Sequence, residues 1–219
     1  MEGTKGARRS TGLWIAFYGP DGAGKSSVIE RVVGDLAGYF HVSHRYHLRP
    51  NWLGRTTLAP VTNPHGVAPR GRCLSALKLL FLLVDYVLGH WLLVRRKLAN
   101  GHLVVFDRYF EDHLVDPLRY RLPSSAGTFA EALAKWIPAP QLRFLLDVPG
   151  PELQRRKPEV APAESERQRR DYAQRLGRHP NTIVIDADRP ITDVSSEVVR
   201  HILAFLFPEH LTTSEGTPC

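Results

Sequence analysis

A glycine-rich segment near the start of the chain contains the residues whose types and spacing could do chemistry. Residues 19–27 read Gly-Pro-Asp-Gly-Ala-Gly-Lys-Ser-Ser and directly follow the apolar run 13–18. Glycines let the backbone curl until successive N–H groups point at one anion. Lys25 adds a mobile cation for phosphates, and the Ser26 hydroxyl is a ligand that Mg²⁺ accepts. The spacing G-x-x-x-x-G-K-S therefore predicts a loop that binds the phosphates of a nucleotide.

The residues that follow this loop support the same interpretation. The stretch 28–36 places its apolar side chains on one face of a helix. The positive dipole end of that helix would point at the bound anion. The alternative is a glycine-rich turn that matches the pattern by chance. We expect the nucleotide to contact Gly19, Gly22, Ala23, Gly24, Lys25, Ser26 and Ser27.

Length and composition favour one α/β domain over 11–208, with a disordered lead-in over 1–10 and a flexible tail over 209–219. The 219 residues, with a hydrophobic content of 43 %, are sufficient for a full core. Cys73 and Cys219 have neither metal-ligand nor disulfide spacing, which favours a reducing compartment. The lead-in lacks the apolar region of a secretory signal, so we expect a cytoplasmic protein.

The charge of the chain points to anionic partners. The formal net charge is +7, and the basic residues gather around 119–121 and 155–178 instead of forming one tract. This distribution favours a small polyanionic ligand over a nucleic acid, and the tryptophans are not interleaved with basic runs as stacking platforms would be. The alternative for these residues is a solvated basic surface.

Apolar runs at regular spacing predict a parallel sheet. Helical patterns fill most of the gaps between them, which is the arrangement of repeated β-α-β units. The predicted strands are 13–18, 41–47, 103–107, 142–147 and 182–186.

Two long segments lie between the second and third predicted strands. Residues 50–72 are rich in Pro, Gly and Arg, which indicates an irregular functional loop. Residues 73–99 are apolar enough for a membrane span or for a helix buried against the sheet and a partner subunit. Lys78, Asp85 and His90 favour the buried helix, because charge near the bilayer centre costs about 2.5–3.5 kcal/mol. We therefore expect no transmembrane span.

An acidic residue and a basic residue end the third predicted strand. Asp107 follows the run 103–106, where a nucleotide-binding α/β fold can hold magnesium or its water. Arg108 comes next and could clamp a second anion. The alternative is a strand-end turn with a surface ion pair.

A basic segment follows the fourth predicted strand. Arg155, Arg156 and Lys157 lie within a predicted lid over about 150–165, before the charged helix 164–172. Three adjacent cations on a mobile segment could close over a transferring phosphoryl group and neutralise its charge. A solvated basic helix is the alternative.

Taken together, these features resemble the thymidylate kinase-like family of P-loop nucleoside monophosphate kinases. The resemblance covers about 13–206 and is carried by the loop acid Asp21, the triplet 107–109, the Leu-Asp-Val-Pro strand end at 146–149 and the basic lid. It implies a P-loop NTPase three-layer sandwich whose five-stranded parallel sheet has the order 2-3-1-4-5. It also implies the use of ATP and Mg²⁺, often a homodimer, and phosphate transfer to a nucleoside monophosphate.

The resemblance implies a role for several individual residues. Asp21 matches the acid that contacts the acceptor sugar, while Arg49 and Arg108 match arginines that meet the acceptor. Because Ala23 leaves the loop uncharged, the cations at 155–157 would supply the missing charge. Ala187 and Asp188 belong to the segment that lies along the adenine in this family.

The acceptor half of the chain departs from the family pattern. The segment 110–121 lacks the expected Ser-Ser-x-Ala-Tyr-Gln-like stretch, and the motif after the second strand has lost its acid and glycines. Asp112, Asp116, Arg119 and Arg121 could line a different acceptor pocket or form an ordinary salt-bridged turn. The acceptor could therefore be a sugar, a polysaccharide precursor or another phosphorylated metabolite.

The leading hypothesis is an ATP-dependent kinase, and a nucleotide-binding switch protein without transfer activity is the alternative from another class. A GTPase is disfavoured because no Asn-Lys-x-Asp stretch is present. The predicted catalytic residues are Lys25, Asp107, Arg108, Arg155, Arg156 and Lys157. The predicted acceptor-binding residues are Asp21, Arg49, Arg108, Asp112, Arg119 and Arg121, and the predicted Mg²⁺ ligands are Ser26 and Asp107.

Overall fold

The structure, a computed structural model, describes residues 11–54, 70–158 and 161–208. The predicted lead-in, the predicted tail and most of the predicted loop over 50–72 lie outside these ranges. Five parallel strands form one sheet in the order β2-β3-β1-β4-β5. The α/β class, the all-parallel sheet and its strand order are therefore confirmed. The strands are β1 (Leu13–Tyr18), β2 (Ser43–His47), β3 (Leu103–Asp107), β4 (Leu142–Asp147) and β5 (Thr182–Asp186).

Four of the predicted strands have the predicted bounds, whereas the prediction of a second strand beginning at 41 was wrong. β2 begins at Ser43, which pairs with Leu103, the first residue of β3. The ladder cannot extend towards 41 because β3 has no earlier strand residue to pair with it. Its other end brings His47 opposite Asp107.

Helices cover both faces of the sheet. Along β1, Leu13, Ile15 and Phe17 pack in the core beneath the helix that follows β1 and the helix that follows β5. Trp14, Ala16 and Tyr18 point to the other face, because successive side chains of a strand alternate between its two faces. They pack in a second core with the helices over 72–89, 127–134 and 162–176. The helices are α1 (Lys25–Asp35), α2 (Arg72–Gly89), α3 (Arg95–Ala99), α4 (Asp112–Val115), α5 (Gly127–Ala134), α6 (Gly150–Arg156), α7 (Pro162–Leu176) and α8 (Ile191–Leu206).

The long apolar helix predicted over 73–99 begins one residue earlier and contains an irregular turn. A π-helical turn over His90–Val94 joins α2 to α3. The stretch Arg72–Ala99 is long and apolar enough to cross a membrane, with a mean hydropathy of 1.8 in its most apolar part. Length and composition do not separate such a span from the core helix of a soluble protein. Asp85 and Lys78 both bond within the fold, as described below.

The predicted lid is largely helical. α6 begins at Gly150, directly after the extended residue Pro149, and ends at Arg156. α7 begins at Pro162. Proline suits the first turn of a helix, because an N–H group there has no carbonyl partner within the helix, so its absence costs no hydrogen bond. Arg155 and Arg156 consequently lie in the last turn of α6, and Lys157 caps it.

Candidate functional site

The loop between β1 and α1 has a tightly curled backbone. Gly19, Gly22 and Gly24 have φ values of 139°, 89° and 80°, which side-chain-bearing residues rarely adopt. A Cβ atom at Gly19 would also lie 2.7 Å from the carbonyl oxygen of Leu146 on β4. We call residues 19–24 the glycine loop. Its end at Gly24 is the N-cap of α1, so the free N–H groups of the first helical turn border the loop.

Lys25 folds back over the glycine loop. Its Nζ atom donates hydrogen bonds to the carbonyl oxygens of Gly19 at 2.7 Å and Pro20 at 2.8 Å. Burial, reinforced by the positive charge of Arg108, lowers the pKa of Lys25 to about 7. A bound anion would favour the charged form of the amine.

Ser26 and Asp107 bring two oxygen atoms together across the sheet edge. The Ser26 hydroxyl donates to Asp107 Oδ2 at 3.1 Å, although the two residues lie on α1 and β3. Neighbouring ligands of an octahedral Mg²⁺ ion at 2.0–2.1 Å are about 3 Å apart, so this pair fits such an ion. Asp107 Oδ2 also accepts a 2.8 Å bond from Arg45 on β2.

Mg²⁺ at this position would depend on ligands from outside the chain. Within the described residues, no group of three or more His, Cys, Asp or Glu side chains is placed to hold a metal. Mg²⁺ in nucleotide-binding proteins commonly keeps water and phosphate oxygens and takes only one or two protein ligands. Ser26 and Asp107 are therefore sufficient as the protein's share.

Arg108 is the centre of a buried polar network. It has a positive φ of 71° and is only 4 % exposed. Its guanidinium donates to Asp112 Oδ1 at 2.6 Å, to the Tyr172 hydroxyl at 3.0 Å and to Asp21. Asp21 also accepts a bond from Arg119. Burial alone would raise the pKa of Asp21, but the cations Arg108, Lys25 and Arg119 together lower it well below its usual value.

Asp112 is packed inside this network, and its direct contact with an acceptor stays a prediction. Its side chain is fully buried and accepts bonds from Arg108, Tyr120 and Tyr172. Burial by itself raises the pKa of Asp112, yet Arg108 and the tyrosine hydroxyls lower it. Asp112 therefore acts on the site by holding Arg108 in place.

Most of the other predicted residues surround one cavity, which we call the central cleft. The cleft has a volume of about 340 Å³ and lies beside the N-terminus of α1. It brings the glycine loop, the end of β3 and the end of α6 together, although they are far apart in the sequence. The predicted residues that line it are Asp21, Gly22, Gly24, Lys25, Ser26, Ser27, Asp107, Arg108, Arg119, Arg156 and Lys157.

A second cavity, the side cavity, continues along the outer side of the glycine loop. Its volume is about 240 Å³, and Ala23 and Ala187 line it. Arg156 borders both the side cavity and the central cleft and donates to the carbonyl oxygen of Ala187 at 3.1 Å. Asp188 is exposed and accepts a 3.5 Å bond from Arg156. These positions favour a ligand that extends from the cleft past α6.

Arg155 differs from its neighbours in the predicted lid. Its side chain is 76 % exposed and pairs with Glu152 at 2.6 Å within the same helix. It lines neither the central cleft nor the side cavity. In this conformation the site receives its lid charge from Arg156 and Lys157.

A third and larger cavity, the basic cavity, adjoins the central cleft at His47 and Asp107. Its volume is about 1140 Å³. Arg49 lines it, but the residue is only 8 % exposed, and its guanidinium forms a 3.0 Å ion pair with the fully buried Asp85. The predicted acceptor residue Arg121 does not line this cavity.

Several residues at this edge of the sheet were missed by sequence reasoning. Arg45 and His47 lie on the same face of β2. Parallel pairing sets His47 opposite Asp107, and the side chain of Arg45 bonds to the same carboxylate. The strand alternation could have found both residues once the neighbour of β2 was known. Other missed lining residues include Arg70, Lys78, Phe81, Tyr120 and Arg189.

The fold and the site define an α/β protein with a polar cleft at the carboxyl ends of β1 and β3. No protein-family model matches the chain, and no curated protein matches it. The resemblance to thymidylate kinase-like proteins therefore stays a prediction from the motifs.

Proposed function

We propose that this protein is a P-loop kinase of the thymidylate kinase-like type, which transfers the γ-phosphate of ATP to a small anionic acceptor. One observation carries the proposal: Lys25, Ser26 and Asp107 converge in the central cleft beside the first turn of α1. A helix N-terminus, a lysine and a hydroxyl–carboxylate pair are the groups that a nucleotide triphosphate with Mg²⁺ requires.

The chain's own groups account for positioning and charge neutralisation. The N–H groups at the start of α1 bind phosphate oxygens, and Lys25 turns from the carbonyls of Gly19 and Pro20 to the β- and γ-phosphates. Ser26 and Asp107 would hold Mg²⁺, which would supply neutralisation of the phosphate charge. Arg108 and Arg119 also line the central cleft and add positive charge there. In such transfers the protein supplies positioning and electrostatic stabilisation more than covalent chemistry.

The acceptor enters from the basic cavity in this proposal. One of its oxygens forms a bond to the γ-phosphorus while the bond to the β-bridging oxygen breaks, and ADP leaves. A nucleoside monophosphate is the first acceptor class, as the family resemblance implies. A different phosphorylated metabolite is the second acceptor class. It is considered because the segment 110–121, whose sequence departs from the family pattern, supplies Arg119 to the central cleft and Tyr120 to the basic cavity.

Calorimetry and a transfer assay test the proposal together. We expect Mg²⁺-ATP to bind with measurable heat, and labelled ATP to yield a phosphorylated product with at least one acceptor from a panel of nucleoside monophosphates and phosphorylated metabolites. Absence of heat with every purine triphosphate would refute nucleotide binding. Tight binding without any labelled product would favour the switch protein over the kinase.

Two adjacent lid arginines should behave differently when replaced. Arg156→Ala should raise the KM for ATP about tenfold, because Arg156 borders both cavities that the nucleotide would occupy. Arg155→Ala removes the same charge from the same helix and should leave KM nearly unchanged, since Arg155 bonds only to Glu152 among the described residues. Steady-state kinetics with ATP as the varied substrate measure both. Equal effects of the two substitutions would contradict this assignment.

Nucleotide binding should be accompanied by proton uptake at pH 8. Because the pKa of Lys25 is about 7, about 0.9 of its amines are neutral one pH unit above that value. Contact with phosphates favours the ammonium form, so binding should take up close to one proton. Calorimetry in buffers of different ionisation enthalpy measures this number. Lys25→Arg is the control, because arginine stays charged and removes the uptake; equal uptake in both proteins would contradict the assignment to Lys25.

A further inference from the structure

The basic cavity has an unusual charge distribution at the end formed by α2 and the residues that precede it. Arg49, Arg70 and Lys78 all line this cavity. The Lys78 ammonium donates to the carbonyl oxygen of Tyr120 at 2.6 Å, and the backbone N–H of Arg70 donates to that of Arg121 at 3.1 Å. The neighbouring carbonyl groups of Tyr120 and Arg121 thus hold Lys78 and Arg70 at one side of the cavity.

Among the described residues, carboxylates do not neutralise the positive charges of Arg70 and Lys78. Arg49 pairs with Asp85, but within 11–54, 70–158 and 161–208 neither Arg70 nor Lys78 forms an ion pair with a carboxylate. Burial, followed by the charges of Arg70, Arg121 and Arg49, lowers the pKa of Lys78 to about 8. Like charges gathered around a partly buried amine are unfavourable unless an anion joins them.

The same cavity also reaches the place where phosphoryl transfer is proposed. His47 and Asp107 line the basic cavity and the central cleft alike. Phe81 and Tyr46 add aromatic surface to the basic cavity, with the Arg49 guanidinium 5.5 Å from the centre of the Phe81 ring. An acceptor whose reacting group lies in the cleft can therefore extend past apolar surface to the cations.

The chemistry of these cations disfavours an uncharged nucleobase. Arg70 and Lys78 only donate hydrogen bonds when charged, so an amino or imide N–H group of a base would find no acceptor in their side chains. A phosphate or carboxylate offers acceptor oxygens alone and compensates the charge. The residues at this end of the cavity are thus complementary to a second anion.

We propose that the acceptor carries a second anionic group, phosphate-like in chemistry, remote from the group that receives the phosphoryl, and that Arg70 and Lys78 bind it. The inference rests on the proposed kinase function and, of its two acceptor classes, favours a phosphorylated metabolite with a second anion over a nucleoside monophosphate with an uncharged base. The two anions of the acceptor would lie at the two ends of the basic cavity.

Site-specific labelling tests the anion site without requiring turnover. The folded protein is treated at pH 8 with a neutral amine-acylating reagent, and the modification of Lys78 is followed by peptide mass spectrometry. We expect inorganic phosphate to slow the labelling of Lys78 at least about fivefold at saturation, since a bound anion keeps the amine protonated and covered. Sodium chloride at equal ionic strength should not. Equal slowing by phosphate and chloride would overturn the proposal.

Matched variants identify the residues responsible. Arg70→Gln should raise the phosphate concentration for half-protection about tenfold, which is the effect of losing one charge-assisted hydrogen bond. Arg96→Gln removes the same charge from the exposed surface of α3 and should leave that concentration unchanged. Equal shifts in the two variants would show a general charge effect and overturn the assignment to the cavity.

Kinetics with the acceptor panel complete the test. Acceptors with a second phosphate should have a KM about tenfold lower than matched acceptors without one, and Lys78→Met should abolish that preference. A preference for acceptors without a second anion would overturn the inference and leave the kinase proposal standing. If Mg²⁺-ATP gave no heat, the kinase proposal would fail, while the labelling of Lys78 would still report on the anion site.

Discussion

Lys25→Ala should lower kcat/KM for phosphoryl transfer about a thousandfold, the upper range for losing one group that stabilises charge in the transition state. Lys25 directly follows the glycine loop, and its Nζ already lies within hydrogen-bond distance of the carbonyl oxygens of Gly19 and Pro20. The alanine variant cannot reach the β- and γ-phosphates from that position. A transfer assay with labelled ATP measures the loss.

The fold should survive this substitution. Removal of Lys25 leaves two carbonyl oxygens of the glycine loop without one donor, at a cost of about 1–3 kcal/mol each. Lys135→Ala, on the exposed surface at the end of α5, is the matched control and should leave transfer and stability unchanged. Turnover by Lys25→Ala at the rate of the parent would refute the kinase proposal.

Arg108→Met should lower the free energy of unfolding by about 3–5 kcal/mol, as expected when one partner of a buried ion pair is removed. The carboxylate of Asp112 would then remain fully buried with only the hydroxyls of Tyr120 and Tyr172 as partners. Asp21, 15 % exposed at its side chain, would also lose a cation. Urea unfolding followed by circular dichroism measures the change.

A double substitution separates the ion pair from simple loss of packing. Arg108→Met combined with Asp112→Asn should recover part of the lost stability, because the amide can be buried without an uncompensated charge. Arg155→Met removes an exposed arginine and should change the unfolding free energy by less than about 0.5 kcal/mol. A urea unfolding midpoint of Arg108→Met as high as that of Arg155→Met would contradict the proposed network.

The pH dependence of this network follows from the lowered pKa of Asp112. A carboxyl whose pKa is lower in the folded protein than in the unfolded chain binds fewer protons when folded. The stabilisation is therefore complete above the unfolded value of about 3.9 and is lost as pH falls through the folded value. Asp112→Asn should remove the part of the stability loss at low pH that comes from protonation of Asp112.

The strands and the glycine loop could be predicted because their signals are local. The run 13–18 is apolar throughout since β1 is the middle strand and is covered on both faces. The loop at 19–24 requires unusual backbone angles within six residues, so the glycines that permit them are visible in sequence. The strand order followed from the family resemblance and not from these runs.

The partners of the charged residues could not be predicted in the same way. Arg45 bonds to Asp107 and Arg49 to Asp85, across separations of 62 and 36 residues. Asp112 was expected near an acceptor, whereas Tyr120 and Tyr172 close around it from two elements. Only the packed structure shows which charges face a cavity and which compensate one another.

By itself, the sequence determined the parallel α/β architecture and the presence of a loop suited to phosphate, because apolar periodicity and glycine spacing act over a few residues. The tertiary structure decided that Ser26 meets Asp107, that Arg155 points to solvent and that Arg70 and Lys78 share one cavity. Each of these outcomes depends on how separate elements pack, and free energies of packing and charge pairing are set by distances that the chain order does not contain.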